Sequence, residues 1–118
     1  MREADVIDRA VLNGLLESVG GDRDFLADLL QTYFDDAPRL LATLHTALPA
    51  GDAESFRRAA HSLKSNSASF GAMQLSRMSK ELEDMGKAGV LEGAGPKIAS
   101  VEEEYARVRA ALESATTA

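Results

Sequence analysis

The chain has 118 residues and a mass of 12.6 kDa, which leaves room for one domain over 1–118 and none for a second with its own core. Nineteen acidic against thirteen basic side chains give a net charge of −6, and there is no cysteine. Sequence-independent nucleic-acid binding, attraction to an anionic membrane surface, disulfides, thiolate zinc sites and thiol nucleophiles are therefore argued against or excluded.

Alanine and leucine contribute 20 and 15 residues, valine and isoleucine only 6 and 2, so helix formers swamp strand formers and an all-α fold is expected. Asp8 caps a first helix over about 8–18 that turns Val11, Leu12, Leu15, Leu16 and Val19 inward and ends at Gly20-Gly21. Asp22 caps a long periodic run from Phe25 to Leu48. Its register survives Pro38, so the pattern predicts one kinked helix over 22–48, with a break at 37–38 as the lesser alternative, stopped by Pro49 and Gly51. Asp52 caps a third helix over 52–70 with the stripe Phe56, Ala60, Leu63, Ser67 and Phe70, closed by a turn at Gly71. A fourth, over 72–86, carries Leu75, Met78, Leu82 and Met85 and ends at Gly86 and Gly89. The fifth, over 96–115, opens with Pro96 at its first position and carries Ile98, Val101, Tyr105, Val108 and Leu112. Connections this short make consecutive helices antiparallel. The expected architecture is an up-down four-helix bundle with the short N-terminal helix over one end.

The third helix holds the chemically informative residues. At about 100° per residue, His61 lies about 200° from Leu63 and so projects away from the buried stripe into water. Arg57 and Lys64 stand within about 60° on one side of it, Arg58 and Ser65 within about 60° on the other. Three cations around one exposed imidazole, in an acidic protein, predict an anion at that spot, since the distant acids are screened beyond about 10 Å. The small Ser65 and Ala68 leave the ring open to a bulky partner rather than sunk in a small-molecule pocket. A solvated face without a task carries the same residue types, and position alone does not separate the two readings.

The segment Ala60-His61-Ser62-Leu63-Lys64-Ser65, followed by Phe70-Gly71-Ala72 and Leu75, resembles the signature of the histidine phosphotransfer (HPt) domain family: His-x-Leu-Lys-Gly, a glycine ten residues after the histidine, and an apolar position four further on. Ser65 stands where the family frequently has glycine. The five-helix layout agrees with that family over nearly all of the chain.

The resemblance implies that His61 takes a phosphoryl group on Nε2 from a receiver-domain phospho-aspartate and passes it to another receiver aspartate. Lys64, one turn on, is the expected partner of the phosphate oxygens. If the chain turns back near Ala72, residues 61 and 83 are each 11 positions from it and stand at the same height. In some family members a glutamine at the matching position bonds the imidazole Nδ1; here Glu83 has the place to do so, and the same spacing also fits a charged rim residue. Val11, Leu15, Phe25 and Leu29 form the candidate receiver-docking patch, Arg57 and Arg58 candidate docking charges, and Ser65, Ala68 and Ser69 small residues that permit contact. Gly71 is read as a structural turn and His45 as an ordinary surface residue. Expected partners are the receiver domains of response regulators, donor and acceptor, including one within a hybrid sensor kinase. Mg²⁺ is expected on the receiver and no cofactor or metal on this chain. A monomer is expected.

Rival classes fare worse. Neither a Walker loop nor a kinase glycine loop is present, so no ATP-dependent kinase activity is expected. Two histidines 16 apart match no metal-ligand spacing. No apolar run approaches the roughly 20 residues of a membrane span, and the N-terminus lacks a signal-peptide pattern, which favours a cytoplasmic location. The alternative is a helical adaptor that binds receiver domains without being phosphorylated.

Overall fold

The structure, a computed structural model, describes residues 6–116. Among them are the helices α1 (Arg9–Ser18), α2 (Arg23–Ala50), α3 (Ala53–Ser69), α4 (Met73–Ala88) and α5 (Ala94–Thr116), and no strand. The first three start on the aspartates that the sequence offers as caps. Asp8 accepts from the Ala10 amide, Asp22 from that of Phe25 and Asp52 from that of Ser55, each at 3.0 Å.

The helix α2 packs against α3 and α5, and α4 against the same two, which closes a ring of antiparallel neighbours. The expected four-helix bundle is therefore present, with α1 laid against α2 and α3. The stripe of α3 is buried throughout, from Phe56 to Phe70, and so are Ile98, Val101, Tyr105, Val108 and Leu112 of α5. In α1 only Leu12 is fully buried. Val11, Leu15, Leu16 and Val19, expected to face inward, are half-buried because one short helix lies on the outside of the bundle and is covered on one side, chiefly by α2 and α3.

Three helix ends differ from the sequence reading. The helix α2 runs unbroken through Pro38, as its register predicts, but Pro49 does not stop it: a proline's φ is itself helical, and the chain turns only at Gly51, which takes φ 64°. The helix α5 starts at Ala94, which puts Pro96 third rather than first; first-turn amides have no partner within the helix, so the missing N–H is harmless at either place. Finally, α4 passes through Gly86 and ends at Gly89 with φ 71°. Gly86 is thus a buried interior residue and not a stop signal.

Candidate functional site

The helix α3 turns its apolar stripe into the bundle and His61 outward, leaving that side chain 53% exposed. On the neighbouring α4, Glu83 belongs to the inward stripe with Leu75, Ser79, Leu82 and Gly86 and is 2% exposed. A buried carboxylate needs partners, and α3 supplies two of them. His61 Nδ1 lies 2.6 Å from Glu83 Oε2, and Lys64 Nζ donates to Oε1 at 2.7 Å. An ionised carboxylate only accepts, so the proton of this bond sits on Nδ1, and Nε2 of the neutral ring carries the lone pair. The Lys64 hydrogen bond, assisted by that from His61, holds the Glu83 carboxyl down at about 2 against the opposing effect of burial.

The cations around the ring are less free than their helical positions suggest. Arg57 donates to Glu54 twice, at 2.6 and 3.1 Å, and Arg58 stands 3.8 Å from the same carboxylate. Lys64, expected in open water, is 27% exposed with its ammonium on Glu83. A further cation, Lys87, lies 3.8 Å from Glu83 Oε2 and escaped the sequence reading. The signal for it was the i,i+4 spacing to Glu83, which carries weight only once Glu83 is placed. Four cations against two carboxylates leave two positive charges in excess beside His61.

The candidate docking residues divide into two groups. Leu15, Leu29 and Ser69 come together with Tyr33, Asn66 and Phe70 around a groove of about 310 Å³ between α1, α2 and α3. Val11 and Phe25 lie outside it, Val11 half-buried and Phe25 49% exposed. Arg58 lines a second groove with Leu40 and Ser62, where α2 meets α3. Ser65 and Ser69 are exposed on α3, Ala68 half-buried between them. Gly71, at φ 83°, accepts from the Asp8 amide at 2.8 Å, and a Cβ there would stand 2.5 Å from the Asp8 carbonyl oxygen. The turn glycine therefore also anchors the start of α1. His45 pairs with Glu102 at 3.0 Å on the surface.

The family model of the Hpt domain matches residues 28–111, most of the chain. The chain belongs to the histidine phosphotransfer (Hpt) domain family. Among solved structures this Hpt domain is similar to histidine-containing phosphotransfer protein B (HptB) from Pseudomonas aeruginosa PAO1, with 37% identity, 93% of each chain covered and a TM-score of 0.85. It shares its fold with the HPT domain of a sensor hybrid histidine kinase from Shewanella, at 21% identity, 88% of this chain and 90% of that one covered, and a TM-score of 0.69. Comparison with curated proteins returned no match. As an Hpt domain the chain is a phosphorelay intermediate, and its partners are receiver domains. No helix among the described residues is long and apolar enough to cross a membrane.

Proposed function

We propose that this Hpt domain accepts a phosphoryl group on Nε2 of His61 from the phospho-aspartate of one receiver and hands it to the aspartate of another. The supporting observation is the 2.6 Å bond from His61 Nδ1 to Glu83, which ties down one ring nitrogen and leaves the other facing solvent. In the forward step the Nε2 lone pair forms the N–P bond while the P–O bond to the donor aspartate breaks and its carboxylate departs. The ring keeps its Nδ1 proton and becomes cationic, and the carboxylate behind it favours that charge. Return of the neutral imidazole as leaving group reverses the step.

Lys64 has N–H groups beyond the one donated to Glu83, and in this reading they meet the phosphoryl oxygens. Mg²⁺ belongs to the receiver. The groove beside Leu15 and Leu29, with exposed Phe25 and half-buried Val11 near it in sequence, is the surface on which a receiver docks, and Arg57, Arg58, Ser65, Ala68 and Ser69 share the helix that carries His61. The protein acts as a cytoplasmic monomer.

The test is incubation with a phosphorylated receiver and Mg²⁺. The wild-type protein gains one acid-labile, base-stable phosphate, and His61→Gln gains none. Binding of the receiver with no phosphate on the wild-type chain would leave an adaptor instead.

A further inference from the structure

The geometry points to Gly86 as a positioning residue for phosphoryl transfer: its lack of a side chain sets α3 and α4 at the separation from which Glu83 bonds His61. The inference rests on the orienting role given to Glu83 above. Gly86 lies in the interior of α4, where glycine is the least favourable residue but proline. A Cβ added there would stand 2.8 Å from both Cα and Cβ of Arg57 and 2.9 Å from its backbone nitrogen. None of these atoms can swing aside as a side-chain tip does. The other helical glycines are unlike it, since Gly14 has nothing within 4 Å and Gly95 only a leucine methyl at 4.0 Å.

The place of this contact gives it a role. Arg57 is one turn before His61 on α3, and Gly86 is one turn after Glu83 on α4. The helices are antiparallel, so the contact lies one turn from the His61–Glu83 bond, on the side away from the α3–α4 turn. Arg57 is 14 residues from Gly71 and His61 is 10, about 21 and 15 Å along the helix, so about 0.7 of any opening at Gly86 reaches the site. Bringing the Cβ out to ordinary contact at 3.4 Å opens the pair by about 0.6 Å, hence the site by about 0.4 Å. A 2.6 Å charge-assisted bond then lengthens toward about 3.0 Å, and the ring loses part of its preference for the Nδ1–H form.

Gly86→Ala tests this, read through the His61 tautomer in long-range ¹H–¹⁵N spectra and the rate of phosphorylation by phosphoramidate, a donor that needs no docking. Expected are a smaller Nδ1–H fraction and a rate several-fold lower, with helical content and receiver binding kept. Gly95→Ala matches the wild type in both. A wild-type tautomer and rate in Gly86→Ala overturn the proposal. Glu83→Ala, which removes the acceptor altogether, is run alongside and separates the causes: if it shifts the tautomer and Gly86→Ala does not, Gly86 alone loses its role, and if neither does, the orienting role of Glu83 falls first. Should Gly86→Ala not fold, the double variant Gly86→Ala/Arg57→Gly, which removes the Arg57 Cβ but leaves its Cα and nitrogen within 2.9 Å of the added methyl, carries the same test against Arg57→Gly alone. Values below those of Arg57→Gly support the proposal and values equal to them overturn it.

Discussion

His61 and Glu83 are 22 residues apart in sequence and 2.6 Å apart in space, one half in water and the other sealed at 2% exposure. The ring is gripped from the protein side and open on the other. A partner can approach Nε2 without displacing the group that orients the imidazole, and the carboxylate bears on the ring with little screening by solvent.

The acid dependence of stability follows from the same carboxylate. Its folded pKa of about 2 lies below the ordinary 4.5, so Glu83 contributes stability that is complete above about pH 5 and lost as pH falls through 2. The gap in stability between wild type and Glu83→Gln is expected to be about 1–3 kcal/mol at pH 7 and to close by about pH 2. Thermal melts of both proteins across that range check it. A gap that stays constant with pH would sink the assignment.

Removal of Lys64 is expected to act on stability as well as on transfer. Lys64→Ala strips a buried carboxylate of its closest cation, and a loss of about 1–3 kcal/mol in urea denaturation is expected together with slower phosphoryl uptake. Arg58→Ala, at a side chain 68% exposed, is expected to change stability by less than about 0.5 kcal/mol. Equal effects from the two variants would contradict the pairing of Lys64 with Glu83.

Two neighbours on α3 separate chemistry from scaffold. Leu63 is completely buried, and Leu63→Ala is expected to lower stability by about 2–5 kcal/mol while phosphorylation persists in the folded fraction. His61→Gln is expected to do the reverse, with all phosphate uptake gone and the bundle still folded. Calorimetry and phosphate incorporation on both variants decide it, and a His61→Gln protein that still takes up phosphate would refute the assignment.

Docking and chemistry are separable by choice of phosphodonor. Phe25→Asp and Leu29→Asp are expected to slow transfer from a phosphorylated receiver about tenfold or more, as loss of a buried apolar anchor does. Their phosphorylation by phosphoramidate is expected to match the wild type. A parallel fall with both donors would point to damage at His61 and away from a docking surface.

Much of this was legible in the chain alone because it depends on neighbours in sequence. The aspartate caps at 8, 22 and 52, the buried stripe Phe56 to Phe70 and the outward turn of His61 follow from a 3.6-residue period and local hydrogen bonds. The family signature was readable for the same reason, being concentrated on α3 and the turn after it. Glu83 was another matter. Its height opposite His61 could be counted in residues, while its rotation into the α3–α4 seam, its hold on Lys64 and the nearness of Lys87 depend on how far apart two helices pack. Gly86 shows the division most clearly, since as a letter in the sequence it reads as a helix stop, and only the backbone of Arg57 against it makes it a contact. Periodicity sets which way a side chain points along its own helix, whereas the distance between helices is a property of the packed bundle that no single segment encodes.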